Sequence, residues 1–341
     1  MNADPKDWQR GTAQVGGSPV QTQTKLKSEK TKMKILFMGT PDIARDCLAA
    51  LYDAGENIVG VVTQPDKPKG RGYILTPPPV KVYATERNIP VYQPTTLRDD
   101  AFAELLAKIN PDLIAVVAYG KILPKNVLDY PKFGCINVHA SILPKYRGAA
   151  PIQRVIIDGE KVTGVTTMYM AEGLDTGDML LKSYVDITDE DNFETLHDKL
   201  AAAGAKTLVD TVNEIRNGTI TRESQDDALA NYAAKIEKSD CALDFSRSAR
   251  EVFDRIRGLS PIPLSFTHTP DGKLLKVVNA RLGNPDAKGR IGEVISLDGG
   301  IEVMCGEGSV VLLTVVPEGK GRMNAADYIR GRKIALSDIL S

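Results

Sequence analysis

From residue 33 onward, apolar and polar positions alternate between two periods. Short apolar runs at 34–38, 58–63, 90–92, 113–118 and 134–139 have the length and β-branched content of strands. Between them the chain becomes amphipathic with helical spacing, as far as about residue 54 and again over 99–110. This alternation predicts an α/β fold, a Rossmann-like parallel sheet with helices on both faces. The run Leu113-Ile-Ala-Val-Val-Ala118 is apolar throughout, as a strand buried on both faces must be, and marks the middle of the sheet. A long amphipathic helix over 192–217, with Phe193, Leu196, Leu200, Leu208, Val212 and Ile215 on one face, closes this region, and Asn217-Gly218 stops it. The pattern then changes. After a polar stretch over 219–230 comes one helix, about 249–258, and then five short strands at 264–267, 274–280, 292–296, 301–304 and 310–315, set off by Asp-Gly, Gly-Gly and Gly-Glu-Gly turns. Such a run predicts a small β-barrel.

Length supports this division, because 341 residues exceed what one hydrophobic core usually sustains. The expected parts are a polar, aperiodic and disordered extension over 1–32, a first domain over 33–218, a linker over 219–236 and a second domain over 237–341. A formal net charge of −1 gives no global basic signature, so any nucleic-acid contact has to come from local patches. Four cysteines without a CxxC pair and only three histidines argue against a disulfide framework and against a zinc site, and predict reduced, buried thiols. No apolar run has the length of a membrane span, and the N-terminus lacks the apolar core of a secretory signal, which predicts a cytoplasmic protein with no membrane partner.

The chemistry concentrates between residues 134 and 153. Asn137 and His139 stand two apart on one strand and therefore share a face, near the carboxyl end where open α/β sheets bind ligands. A histidine there is commonly a structural residue and an asparagine commonly caps a turn. A second tight loop, Gly173-Leu-Asp-Thr-Gly-Asp178, follows the strand-like run 162–171 and offers a carboxylate that could orient the imidazole. The turn after the first strand has one glycine, Gly39, where a dinucleotide fingerprint needs three, and no P-loop occurs, so NAD and ATP are excluded. Neither Cys135 nor Ser141 sits in a nucleophile elbow, and no covalent intermediate is expected.

Basic residues cluster locally. The loop over 64–79 is too rich in Pro and Gly for helix or strand, and carries Lys67, Lys69 and Arg71 against Asp66. Beyond residue 236, 15 Lys and Arg stand against 14 Asp and Glu, so a case for RNA rests on clustering: Arg247, Arg250, Arg255 and Arg257 on one helix, and Lys320, Arg322, Arg330, Arg332 and Lys333 in the tail. A solvated charged face explains either cluster equally well. A non-enzymatic RNA-binding module would account for the basic residues but not for three polar side chains at the sheet edge.

Asn137-x-His139, the loop Ser141-Ile-Leu-Pro-Lys-Tyr-Arg-Gly148 and Leu174-Asp-Thr-Gly177 resemble the 10-formyltetrahydrofolate-dependent formyltransferases. The resemblance runs from residue 33 to near the C-terminus. It implies a catalytic trio of Asn137, His139 and Asp175, with 10-formyltetrahydrofolate as co-substrate and no metal. Tyr119, Gly120, Ser141, Leu143, Pro144, Tyr146, Arg147 and Gly148 would hold the folate. Gly148-Ala-Ala-Pro-Ile-Gln153, Gly39-Thr-Pro-Asp42 and the chain length narrow the resemblance to the members that formylate the methionine amine on initiator tRNA for translation initiation. These members imply an OB-like second domain, a monomer, and contact of the 64–79 insertion with the tRNA acceptor stem through Lys67, Lys69 and Arg71. Tyr73 and Ile74 follow Gly-Arg-Gly where relatives often place basic residues, and Ile262 stands between two prolines where relatives tend to have Trp. Formyltransferases acting on glycinamide ribonucleotide or an amino-sugar nucleotide, and formyltetrahydrofolate hydrolase modules, would share the trio. The first has no need of the barrel, and the others lack the insertion.

Overall fold

The computed structural model describes residues 32–69 and 73–341, Lys69 by its backbone alone. The extension expected over 1–32, Lys32 apart, therefore lies outside the described residues, as do Arg71 and the Lys69 side chain. Residues Met33–Ser341 form one compact unit.

In chain order the first part runs β1 (Lys34–Gly39), α1 (Asp42–Asp53), β2 (Asn57–Val62), β3 (Lys67–Lys69), β4 (Ile74–Thr76), α2 (Pro79–Glu86), β5 (Val91–Tyr92), α3 (Asp100–Ile109), β6 (Leu113–Val117), α4 (Lys125–Leu128), β7 (Cys135–His139), β8 (Arg147–Gly148), α5 (Pro151–Ile157), β9 (Val162–Tyr169), β10 (Met179–Asp186) and α6 (Phe193–Asn217). Seven strands make the main sheet in the order β10-β9-β7-β6-β1-β2-β5. β6 is central and all five of its residues are buried, as its unbroken apolar run requires. Successive strand residues alternate between two cores: Ile35 and Phe37 pack with α1 and α6, whereas Leu36 and Met38 join Phe102 and Leu106 of α3. Each fully buried side chain of this size contributes about 1.5–3 kcal/mol. Cap chemistry sets the helix ends: Asp99 accepts from the Phe102 N–H at 3.0 Å, and Asn192 and Thr195 form a capping box that starts α6.

Two expectations need correction. The sheet is mixed, because β9 runs antiparallel to β7 and β10 antiparallel to β9. A connection as short as 170–178 can join only antiparallel neighbours, and no periodicity within a strand reports its direction. Residues 64–79, expected to be neither helix nor strand, contain the β3–β4 hairpin, with Lys67 opposite Thr76 and Lys69 opposite Ile74. This two-stranded ribbon covers no core, so it shows no alternation of apolar and polar residues; Tyr73, Ile74 and Leu75 are all exposed. Its base is held by Lys81 Nζ, which donates to both Asp66 carboxylate oxygens at 2.9 and 2.8 Å.

The second part comprises β11 (Tyr232–Ala233), α7 (Ala249–Gly258), β12 (Ser265–His268), β13 (Leu274–Leu282), β14 (Val294–Ser296), β15 (Ile301–Met304), β16 (Ser309–Pro317), β17 (Met323–Asn324) and α8 (Ala325–Arg330). β12 to β17 form a six-stranded antiparallel sheet in the order β12-β13-β16-β15-β14, with β17 on β16. It curls into a half-barrel, open between β12 and β14 and filled by Val252, Phe253 and Ile256 of α7.

The arginines of α7 hold the two parts together. Arg257 is 5 % exposed, donates through Nε to Asp254 at 2.7 Å, and reaches the Thr188 and Asp191 carbonyls at 2.9 and 3.0 Å. Arg250 grips both oxygens of Asp189 at 2.8 and 2.6 Å, which holds that carboxyl well below the usual carboxylate range. Arg255 donates to the Asp240 carbonyl at 2.6 Å, and Arg247 pairs with Asp244 and Glu251. Of the basic cluster, Arg250, Arg255 and Arg257 are therefore taken up by intramolecular bonds, whereas Arg247, just ahead of the helix, stays exposed. The tail cluster is different: Lys320, Arg322, Arg330, Arg332 and Lys333 are all exposed.

Breaking a buried, hydrogen-bonded charge pair leaves an uncompensated charge. Arg257→Met should therefore cost about 3 kcal/mol of folding stability, read as a lower urea midpoint. A parental midpoint would mean that this junction does not support the fold.

Candidate active site

Asn137 and His139 stand on β7 opposite Met168 and Thr166 of β9. His139 is 6 % exposed, and its Nε2 lies 2.8 Å from the Tyr146 carbonyl. A carbonyl can only accept, so Nε2 carries the hydrogen and Nδ1 is the basic atom of the neutral ring. Nδ1 is 3.7 Å from Asp175 Oδ2, an ion-pair separation too long for a hydrogen bond. The carboxylate is instead fixed by the Gly148 N–H, which donates to the same Oδ2 at 2.9 Å. Asp175 sits at φ +53, a left-handed conformation that a non-glycine residue holds only when its surroundings enforce it. The imidazole is thus oriented by the Tyr146 carbonyl rather than by the carboxylate, which supplies charge. The Asn137 side-chain amide has no protein partner among the described residues and is available to an acyl oxygen. Burial pushes the Cys135 thiol up to about 12, which leaves no thiolate nucleophile beside the pair.

Most residues expected to hold a folate turn their side chains into the protein. The Tyr119 ring lies in the α3-side core and its hydroxyl, without a partner, is pushed up to about 12 by burial. Its carbonyl accepts from Thr40 Oγ1 at 3.2 Å and Gln64 Nε2 at 3.1 Å. Gly120 follows at φ +83. Ser141 Oγ donates to the Lys145 carbonyl at 2.7 Å and closes the loop. Leu143 is buried, its N–H donates to Thr166 Oγ1 at 3.1 Å, and Pro144 follows through a cis peptide bond. Tyr146 Oη donates to Glu160 at 3.3 Å. Arg147 donates to Gln225 Oε1 at 3.0 Å and Asp227 Oδ1 at 2.8 Å. Much of the loop backbone is bonded within the protein as well, through the Tyr119, Lys145 and Tyr146 carbonyls and the Leu143, Tyr146, Arg147 and Gly148 N–H groups, and the Asn137 amide stands beside them without a protein partner. Lys67 is exposed on the hairpin, away from these bonds.

The sequence reading missed the stretch 219–230 as part of this site. It does not hang free as a connector. Glu223 exchanges backbone hydrogen bonds with Met179, and β11 pairs in parallel with β8. Gly148, at φ +116, must lack a Cβ, which would come within 2.8 Å of the Ala233 carbonyl. A cavity of about 1000 Å³ lies elsewhere, between 189–194, α7 and β13. Its charged walls include the Asp189, Asp191 and Arg257 groups already bonded across the junction, so the chemistry belongs at β7.

A buried hydroxyl without a partner costs about 1–3 kcal/mol. Tyr119→Phe should stabilise the protein by about 1 kcal/mol and leave the Michaelis constant for the formyl donor unchanged. A higher constant would show that the phenol, rather than the backbone at 119–120, meets the ligand.

Comparison with known proteins bears on the lineage of the chain. Residues 32–212 match the family model "Formyl transferase", and residues 235–333 match "Formyl transferase, C-terminal domain". The methionyl-tRNA formyltransferase of Geotalea uraniireducens is 48% identical over 309 residues, covering 90% of this chain and 98% of that protein. That of Syntrophus aciditrophicus is 49% identical over 310 residues, covering 91% and 99%. Among solved structures, the N-formyltransferase of Helicobacter canadensis, in complex with folinic acid and dTDP-3-aminofucose, superposes with a TM-score of 0.64 at 19% identity over 82% of this chain and 98% of that one. HypX from Aquifex aeolicus, in complex with tetrahydrofolic acid, gives 0.61 at 16% identity over 88% of this chain and 47% of that longer one. Those two likenesses show the fold, and the near-full-length identity shows the lineage: the chain belongs to the formyl transferase family, among its methionyl-tRNA formyltransferases.

Proposed function

We infer that this protein transfers the formyl group of 10-formyltetrahydrofolate to the free amine of methionine on initiator methionyl-tRNA. The observation that carries the reading is the 48% identity to a methionyl-tRNA formyltransferase over 90% of the chain. On this reading the enzyme works in the cytoplasm as a monomer; among the described residues no helix is long and apolar enough to cross a membrane. Its division into a catalytic domain over 33–218 and a tRNA-binding domain over 237–341, joined by 219–236, is supported by the second part's own hydrophobic core, separate from the two that flank the main sheet.

Asn137, His139 and Asp175 are the catalytic residues of this reading. Bound folate supplies the formyl group on its N10. Amine attack on a formyl carbon builds negative charge on oxygen and positive charge on nitrogen, so the site needs a hydrogen-bond donor and a proton acceptor. The Asn137 amide donates to the formyl oxygen. His139 Nδ1, the basic atom left by the Nε2 bond to Tyr146, takes the amine proton and passes it to N10 as the bond between N10 and the formyl carbon breaks, while Asp175 stabilises the charged ring from 3.7 Å. The segments at 119–120 and 141–148 line the folate. Lys67, Lys69 and Arg71 meet the acceptor end of the tRNA, where the exposed Tyr73 can stack on an unpaired base.

Offered methionyl initiator tRNA, glycinamide ribonucleotide and an amino-sugar nucleotide side by side, the protein should formylate the first alone; formylation of either small amine instead would overturn the reading. His139→Ala and Asn137→Ala should each lower turnover by about 10² while the fold and folate binding persist. Turnover at the parental rate in both variants would remove these residues from the mechanism.

Arg71→Ala should cost roughly 1 to 3 kcal/mol in kcat/KM for the charged tRNA, the range for losing a base contact or stack, with folate affinity unchanged. Arg71→Lys should restore only part of the loss, because a point charge replaces neither the planar fork nor the stack. Equal activity of Arg71→Ala and the parent across several salt concentrations would exclude the insertion from tRNA recognition.

A further inference from the structure

Two loops that are distant in sequence meet at His139, and one side chain outside both is bonded to each. Gln225 Nε2 donates to the Asp175 carbonyl at 2.8 Å and to the Gly177 carbonyl at 2.8 Å. Its Oε1 accepts from Arg147 Nε at 3.0 Å. Both amide hydrogens and the amide oxygen are therefore engaged, two on the loop that carries Asp175 and one on the loop whose Tyr146 carbonyl orients His139 and whose Gly148 N–H holds the Asp175 carboxylate. On either side of Gln225 the same strip of chain is tied down. Ser224 Oγ donates to Asp178 Oδ1 at 3.1 Å, Asn231 Oδ1 accepts from the Tyr146 N–H, and the Asn231 carbonyl accepts from the Arg147 N–H at 3.1 Å.

We infer that Gln225 is a positioning residue for formyl transfer: by bridging the 173–178 and 145–148 loops it sets the distance between the Asp175 carboxylate and the His139 ring. The left-handed backbone at Asp175 needs such an external hold, and the 3.7 Å gap has no direct hydrogen bond to keep it. A primary amide suits the task because it donates to two carbonyls and accepts from a guanidinium at once. A carboxylate of the same shape could keep only the Arg147 contact and would face the two carbonyl oxygens with negative charge.

This inference rests on the catalytic reading of Asp175, and the test separates the two. Gln225→Glu, Gln225→Met and Asp175→Asn are made singly, and Gln225→Glu is combined with Asp175→Asn; kcat and both Michaelis constants are measured with methionyl initiator tRNA and 10-formyltetrahydrofolate. Gln225→Glu and Gln225→Met should each lower kcat by about 30-fold, the scale of an ångström-sized misplacement, with both Michaelis constants within about twofold of the parent. Added to Asp175→Asn, Gln225→Glu should cost less than about threefold more, because the two act through one interaction. Ser224→Ala, which loosens the same strip without touching the Asp175 carbonyl, controls for stability: it should match any fall in thermal midpoint and keep parental kcat. Parental kcat in the Gln225 variants, a loss confined to the Michaelis constants, multiplied losses in the double variant, or an equal loss in Ser224→Ala would each overturn the inference while leaving a slow Asp175→Asn enzyme and its catalytic reading intact. Parental turnover in Asp175→Asn itself would overturn that reading, and the role of Gln225 with it.

Discussion

A single hydrogen bond, from the Gly148 N–H to Asp175 Oδ2 at 2.9 Å, joins the two loops from which the site is made. Without it the carboxylate would have no fixed position, since its own residue is in a strained conformation and its distance to the imidazole is too long for direct bonding. The bond demands a close approach of backbones, and that is the reason for glycine at 148: a Cβ there would press on Tyr232 and the Ala233 carbonyl of the strip that passes behind. The geometry of the site and the path of the chain after α6 are therefore one problem. The strip must lie against β8 for Gly148 to point at Asp175, and Gly148 must be bare for the strip to lie there.

The same economy appears in the residues around the site. Tyr119, Ser141, Leu143, Tyr146 and Arg147 bind neighbouring protein groups or fill the core, through backbone atoms as well as side chains. Loops tied down in this way are preorganised, since their orientation was fixed when the fold formed. Asn137 is the exception, a partly exposed side chain with no protein partner beside a His139 whose Nε2 is bonded and whose Nδ1 is not.

Charge is used in two ways along the chain. On α7 it is internal: Arg250 and Arg257 fasten the helix to the turn that precedes α6 through Asp189 and two carbonyls, and both pair with Asp254 of the helix itself. On the tail and at Lys67 of the β3–β4 hairpin it is exposed, and the same hairpin exposes apolar Tyr73, Ile74 and Leu75. Only the exposed charges can attract a polyanion. A near-neutral sum over the whole molecule hides this segregation.

The sequence alone determined the features whose cause is local. A strand buried on both faces must be apolar throughout, so Leu113–Val117 was legible as the sheet centre. Side chains two apart on a strand share a face, so Asn137 and His139 were legible as a pair, and the long apolar stripe of α6 and its glycine stop mark its course and its end. Tertiary structure decided everything that depends on which distant groups meet. Asp175 approaches His139 because the β9–β10 connection folds back over β7, and strand direction leaves no trace in the period of a strand. The arginines of α7 read as a basic face because charge is visible in sequence, whereas their carboxylate and carbonyl partners 61 to 69 residues away are not. Gln225 was passed over for the same reason: a polar residue in a polar stretch carries no pattern, and its two carbonyls and one guanidinium are brought to it only when the chain packs back across the loops it joins.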